Sequence, residues 1–357
     1  MNILIFDATP GWSGGANRIF LYSKELIKRG HTITICCLHE SGLSSALSKE
    51  NIPVCKVNPK NDINILVIPK IVRLIVKNNI DVIEICSPMF YWIASLAGRL
   101  TKRPVILTRN VPYRKKGLKK YINTFLYSKL VDRIIAISDK IKRELIEDFA
   151  IPDHKISVIY DGIDLLRFSL QGTNSSSVNS EEYLAAVISR LDENKGLECC
   201  INALPIIMQQ ISRIRFIIVG TGRIEQKLQV LTKQLNLTDK VHFTGFRTDI
   251  PEILAGVDIT IMPSPEEGMS MSALESMASA KPVVATSGSG LVDIIKNNHS
   301  GIIVKPDNSN ELAHGVVTLL RSDYKKIGRE ARKIVEEKFA LQTVVTQYER
   351  LLEQVTK

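Results

Sequence analysis

The chain runs to 357 residues, 45% of them hydrophobic and 24% charged, which describes a globular protein of two ordinary domains and excludes disordered and fibrous classes. Its formal net charge of +10 sits in one half: residues 1–168 carry 26 Lys/Arg against 15 Asp/Glu, and residues 169–357 carry 21 against 22. None of the six cysteines has the CxxC or Cys/His spacing of a zinc site, and no uncharged apolar run approaches the ~18 residues of a spanning helix.

From the first residues, apolar runs alternate with helix-length amphipathic segments. NILIF (2–6) is a predicted strand that enters directly, without a signal-peptide pattern, and leads through GWSGGANR (11–18) into a helix near 16–29. TITICCL (32–38), PVCKV (53–57), DVIEI (81–85), PVILT (104–108), RIIAI (133–137) and ISVIY (156–160) continue the series. Short apolar strands separated by helices predict a parallel sheet covered on both faces, so residues 1–168 read as one Rossmann-like domain. The Ser/Asn-rich stretch SLQGTNSSSVNSEE (169–182) reads as a linker.

The pattern then restarts. YLAAVIS (183–189), RFIIVG (215–220), VHFTG (241–245), DITIMP (258–263), PVVAT (282–286) and GIIVK (301–305) are predicted strands, with helices between them and over the last fifty residues. A second α/β domain over 183–339 and a terminal segment at 340–357 complete the predicted architecture: two doubly wound domains with a cleft between them. Ligands of such sheets sit beyond the carboxyl ends of the strands, so the loops after strands are the ones to read for chemistry.

In SRLDENKG (189–196), Arg190 and Lys195 stand beside a helix N-terminus, an arrangement suited to a diphosphate, although two solvated surface charges would look the same. Gly222, in the turn VGTG (219–222), lets the backbone approach a ligand. In PSPEEGMSMSALESMASAKPVV (263–284), Glu267 lies in a loop and Glu275 about one turn into the following helix. An ionised carboxylate such as that of Glu275 can accept from two neighbouring hydroxyls, as in a ribose diol. The amides of Gly268, Met269, Ser270 and Met271 at the helix start can meet a phosphate or sugar oxygen. The competing readings are a helix-dipole charge for Glu267 and a surface salt bridge for Glu275. No GxGxxG, GxxxxGK[ST], DxD or HExxH occurs, so a leaving diphosphate is expected to rely on cations and amides, with no metal and no cofactor.

Residues 99–120 hold nine Lys/Arg and no Asp/Glu, and the segment continues with aromatic and aliphatic residues to 130. That composition suits an anionic membrane surface, while nucleic acid lacks any supporting motif. The cysteines, mostly in apolar runs, read as reduced core residues, so the expected location is cytoplasmic, extending to the cytoplasmic face of a membrane.

GGANR with LIKRGHTITI, IAISDKIKREL, VIYDGIDLLRF, SRLDENKG, VGTG, VHFTGF and the EEGMSMSALESMASAKPVV block stand in an order that resembles the retaining GT-B glycosyltransferases, in particular family 4, over nearly the whole chain. The resemblance implies a nucleotide-sugar donor, UDP-linked or similar, and a glycan or glycolipid acceptor of the polysaccharide or lipopolysaccharide type. It implies that Arg190 and Lys195 hold the donor diphosphate, Glu275 the ribose hydroxyls and Glu267 the transferred sugar near its reacting carbon, while Gly15 approaches a donor phosphate. It also implies a terminal helix, 340–356, that returns to the first domain. The chain departs from the family pattern at Asn17, Ser189, Met269 and Ser270, and at the loop after the fifth strand, where Asn110 or Arg109 replaces a histidine. Those departures leave a catalytically inert sugar-nucleotide or glycan binder as the rival expectation, with a UDP-sugar epimerase behind it.

Overall fold

The computed structural model describes residues 1–58, 64–111, 117–168 and 182–357. It divides into two compact units, Met1–Gly162 with Leu341–Lys357, and Ile163–Ala340. The first unit thus ends at Gly162 rather than at the expected residue 168. Hydrogen bonding explains the difference: Ile163 N donates to Phe339 O at 2.8 Å, and Arg332 Nη1 donates to Phe168 O at 3.0 Å, so Ile163–Phe168 is held by the second unit. The expected linker lies outside the described residues except for Glu182.

In the first unit, β1 (Asn2–Phe6), β2 (Thr32–Cys37), β3 (Val54–Lys56), β4 (Val82–Ile85), β5 (Val105–Arg109), β6 (Arg133–Ala136) and β7 (Ile156–Val158) form a sheet in the order β3-β2-β1-β4-β5-β6-β7. All its pairs are parallel, and the order reverses between β1 and β4. The strands are Ile- and Val-rich because helices cover both faces of such a sheet. On one face, helix Gly14–Lys28 buries Ala16, Ile19, Tyr22 and Leu26 at helical spacing, its first turn capped by Ser13 Oγ, which accepts from Ala16 N at 3.1 Å. Helix Leu341–Thr356 packs beside it through Val344, Val345, Tyr348, Leu351 and Leu352.

Between those helices and the sheet lies a buried polar knot. Arg18 Nη1 donates to Glu84 Oε1 at 3.0 Å, Tyr348 Oη to Glu84 Oε2 at 2.6 Å and Thr108 Oγ1 to Glu84 Oε1 at 2.5 Å. The Arg18 guanidinium also lies over the Tyr22 ring at 4.5 Å. Burial alone would raise the Glu84 carboxyl, but the Arg18 charge and these donors hold it below its ordinary value. A charge buried in this way is tolerated because it is paired and hydrogen-bonded.

In the second unit, β8 (Tyr183–Ile188), β9 (Ile214–Val219), β10 (Val241–Gly245), β11 (Ile259–Met262), β12 (Val283–Thr286) and β13 (Gly301–Val304) form a parallel sheet in the order β10-β9-β8-β11-β12-β13. The order reverses between β8 and β11, which pair in the register Ile259↔Ala185. Helices Leu197–Gln210 and Ser309–Arg321 cover one face through Ile201, Leu204, Leu312 and Val316. Among the described residues no helix is long and apolar enough to cross a membrane.

Candidate functional site

In a doubly wound sheet, the chain diverges at the point where strand order reverses and leaves a crevice at the carboxyl ends. In the second unit that point is the β8/β11 boundary, and the two loops singled out by sequence leave from there: 189–196 after β8 and 263–270 after β11. Glycines let the surrounding turns pack backbone to backbone. A Cβ on Gly196, which has φ +68°, would stand 2.1 Å from Pro263 O, and one on Gly288 would stand 1.6 Å from Pro265 O. Gly222 behaves likewise, its Cβ position being 2.3 Å from Leu191 O, while Leu191 N donates to Thr221 O at 3.0 Å. The VGTG turn therefore seats against the Arg190 loop.

Lys195 Nζ reaches across the two loops to Glu267 Oε1 at 2.8 Å. Glu267 is itself fixed by its backbone, its N–H donating to Gly288 O at 3.2 Å and its carbonyl accepting from Gly290 N at 3.1 Å. Arg190 is the more exposed cation, its side chain 60% accessible, and Nη1 pairs with Asp192 Oδ2 at 2.8 Å. Arg223, just past the VGTG turn, approaches the other Asp192 oxygen at 3.7 Å. Sequence reasoning passed over Asp192 and Arg223, although the run VGTGR carried a signal: a cation directly behind a glycine turn.

Helix Met271–Ala278 begins at this point. Ser270 caps it by accepting from Ala273 N at 3.4 Å, and the amides of Met271 and Ser272 remain as open N-terminal donors among the described residues. The side chains of Met269 and Ser270 are buried, so these two positions can offer a ligand only backbone. Glu275 follows one turn later, half-buried, and its carboxylate accepts no hydrogen bond among the described residues. Burial pushes its pKa up to about 7 against the opposing attraction of Arg167. Arg332 places that arginine: it bridges Phe168 O and Ala278 O, at 3.0 and 2.6 Å, and so ties the Arg167 segment to the end of the Glu275 helix. The structure brings Lys195 and Glu267 into contact, whereas Glu275 shares no direct bond with Arg190 or Lys195 among the described residues. A surface salt bridge for Glu275 is not what the geometry shows.

In the first unit, Gly15 in the opening turn of helix Gly14–Lys28 lies against Asn110, a Cβ on Gly15 being 3.3 Å from Asn110 Nδ2. Asn110 Nδ2 donates to Cys86 O at 3.1 Å, while its Oδ1 is buried and accepts nothing among the described residues. Arg109 requires a correction. Expected as an acceptor-side candidate, it is only 3% exposed, donating to Tyr127 Oη at 2.7 Å and Glu144 Oε1 at 3.0 Å and lying over the Phe149 ring at 5.7 Å. As the last residue of β5 it points into the packing against helix Asp139–Phe149, where its charge needs those partners. Among the described residues, no three His, Cys, Asp or Glu side chains group as metal ligands.

Comparison with known proteins finds matches along both halves of the chain. The family model described as Glycosyltransferase Family 4 matches residues 12–167, and the one described as Glycosyl transferases group 1 matches residues 173–334. An uncharacterized glycosyltransferase of Methanocaldococcus jannaschii is 33% identical over 221 residues, 58% of this chain and 56% of that protein. The chain thus spans a little over half the length of that relative. The capsular polysaccharide biosynthesis glycosyltransferase CapM of Staphylococcus aureus is 22% identical over 308 residues, 79% of each chain. The crystal structure of HepE from Anabaena in complex with UDP and glucose aligns with a TM-score of 0.87 at 21% identity, over 99% of this chain and 100% of that one, a likeness of fold. Matched in order through both units and in the topology of both sheets, the chain belongs to the GT-B glycosyltransferases of the family-4-like type.

Proposed function

We propose that the chain transfers a sugar, with retention of configuration, from a nucleoside-diphosphate donor to a hydroxyl of a glycan or lipid-linked acceptor in cell-surface polysaccharide synthesis. Glu275 carries the reading: a half-buried carboxylate with no hydrogen-bond donor among the described residues is costly unless a ligand supplies hydroxyls to it. A ribose diol fits that need. The UDP and glucose bound to HepE and the capsular polysaccharide role of CapM support the donor and acceptor classes.

In this reading the Lys195–Glu267 pair opens on binding. The diphosphate takes the ammonium, and the transferred sugar's hydroxyls take the carboxylate. Both side chains are partly exposed, at 15% and 20%, and each exchanges its protein partner for a matching group of the ligand. The bond from the sugar's anomeric carbon to the diphosphate breaks with its electron pair leaving on phosphate oxygen. The acceptor hydroxyl forms the new bond on the same face, and its proton passes to a basic oxygen of the departing diphosphate. Arg190, Lys195, the Gly222 turn and the amides of Gly268, Met269, Ser270 and Met271 meet the growing negative charge, where loss of one donor costs about 10²–10³ in rate. In the first unit, Gly15 and Asn110 are the donor-phosphate and acceptor-side candidates. The reading assigns no metal a role, so a chelator leaves the rate unchanged.

Thermal melts with UDP, GDP and ADP and their sugars identify the donor, since a ligand at 100 times its Kd stabilises by about 2.7 kcal/mol. Transfer is then followed for Arg190→Ala and Lys195→Ala, and the anomeric proton of the product is read by NMR. Undiminished transfer in both variants would refute the assigned roles, and an inverted product would remove the retaining mechanism.

A further inference from the structure

Two cysteines face one another across the edge of the first sheet. In the order β3-β2-β1-β4-β5-β6-β7, β3 is an edge strand, and it pairs with β2 in the register Cys36↔Cys55. Paired residues of neighbouring strands point to the same face and stand about 4.7–4.9 Å apart. A disulfide bridges Cα atoms about 4.4–6.8 Å apart, so this register meets the spacing that such a bond needs. Alternation along β2 sets the third nearby cysteine apart. Ile33, Ile35 and Cys37 share a core with Ile19 and Leu26 of helix Gly14–Lys28, so Cys36 points to the opposite face, together with Cys55.

The two thiols are unequal. Cys36 is fully buried, whereas Cys55 is partly exposed, and both are free. Lys70, in helix Ile68–Lys77, brings its Nζ to 3.5 Å from Lys56 O and so sets a cation beside Cys55. A hydrogen bond with the Cys36 thiol pulls the Cys55 thiol down to about 6, with burial opposing it and the Lys70 charge adding to it. The same hydrogen bond, together with burial, holds Cys36 well above its ordinary value, so it stays a neutral thiol. An accessible thiolate next to a protonated thiol is the arrangement in which one sulfur takes up an oxidant and the other resolves it.

We infer that Cys36 and Cys55 form a peroxide-sensitive dithiol, with Cys55 as the attacking sulfur and Cys36 as the resolving one. The Cys55 thiolate bonds to one oxygen of hydrogen peroxide. The O–O bond breaks, and the departing hydroxide takes up a proton to become water. The Cys36 sulfur then attacks the Cys55 sulfenic acid: the S–S bond forms, the S–O bond breaks, and hydroxide leaves with the Cys36 proton as a second water. The two thiols together give up two electrons, which the peroxide accepts. A small dithiol reverses the step by thiol–disulfide exchange. The inference does not depend on the sugar-transfer reading.

The test treats the reduced full chain with hydrogen peroxide, alkylates the remaining thiols and reads the tryptic peptides by mass spectrometry without reduction. Two of the six cysteines should escape alkylation. They should appear as a link, lacking two hydrogens, between the peptide that holds Cys36 and the one that holds Cys55, and dithiothreitol should restore alkylation of all six. Cys36 and Cys37 share a tryptic peptide, so substitutions separate them: Cys37→Ser should keep the link and Cys36→Ser should abolish it. In Cys36→Ser the Cys55 sulfenic acid has no resolving thiol, and dimedone should trap it there. In Cys55→Ser dimedone should not label Cys36, which is buried. Unchanged alkylation after peroxide, a link that survives Cys36→Ser, or Cys55 trapped by dimedone in the unsubstituted chain with no link formed would overturn the proposal. So would a link found only between two copies of the chain on a non-reducing gel.

Discussion

Replacing Glu275 by glutamine should make the empty protein more stable at neutral pH. Burial raises this carboxyl from 4.5 to about 7. A folded-state pKa above the unfolded one means that below pH 4.5 both states hold the proton and the side chain is neutral in its effect. Between 4.5 and 7 the unfolded chain ionises first, so the folded state loses about 1.4 kcal/mol per pH unit, and above 7 the penalty is constant at about 3 kcal/mol. Water at the half-buried side chain reduces this toward about 2 kcal/mol. Glutamine keeps the shape and removes the ionisation. Calorimetric melts should therefore coincide for the two proteins near pH 4.5, and the Glu275→Gln variant should melt roughly 4–12 °C higher at pH 8. The same carboxylate should favour a diol-bearing ligand only when ionised. Nucleotide-sugar affinity of the natural chain should thus rise through pH 7, and that of the variant should stay flat and weaker. A glutamine variant that is no more stable at pH 8 would refute the argument, because it would mean that protein donors already satisfy the carboxylate.

Three further substitutions are read from the geometry. Tyr348→Phe removes the 2.6 Å bond to buried Glu84 and should cost about 1.5–3 kcal/mol in urea melts, and Glu84→Gln, which leaves buried Arg18 with Asp161 at 3.5 Å as its remaining carboxylate, about 3 kcal/mol. Because Glu84 is held below its ordinary value, its contribution is present above pH 4.5 and fades as the pH falls through the lower folded value, so both deficits should shrink in acid. Gly288→Ala would put a methyl 1.6 Å from Pro265 O and push aside the loop that carries Glu267. A displacement of about 1 Å at a reacting group costs about 10²-fold in turnover, which a transfer assay reads directly while circular dichroism stays unchanged.

The strands were legible because a parallel sheet buried on both faces needs short, uninterrupted apolar runs: NILIF, DVIEI and YLAAVIS coincide with β1, β4 and β8 to within a residue at each end. The loop positions of Arg190, Lys195, Glu267 and Glu275 were legible for the same reason, since the ends of strands locate the crevice. Partnerships were not. Lys195 meets Glu267 72 residues later, and Arg109 is neutralised by Glu144 35 residues later, so a sequence window shows a free cation in both cases. The Arg18–Glu84 pair was hidden in the same way, yet it left a trace. A glutamate in the middle of the apolar run VIEI has no place in a doubly covered strand unless a buried cation waits for it.

The terminal helix Leu341–Thr356 has a consequence for synthesis. It supplies Tyr348, Val344 and Leu352 to the core built by residues 1–162, so that unit cannot close until residues 341–357 have left the ribosome. During elongation the nascent amino-terminal sheet stands with Arg18 and Glu84 lacking their tyrosine lid, while Ile163–Ala340 can complete its own fold. Order of translation and order of completion are therefore opposed, and a chain stopped at residue 340 would carry one finished half and one open one.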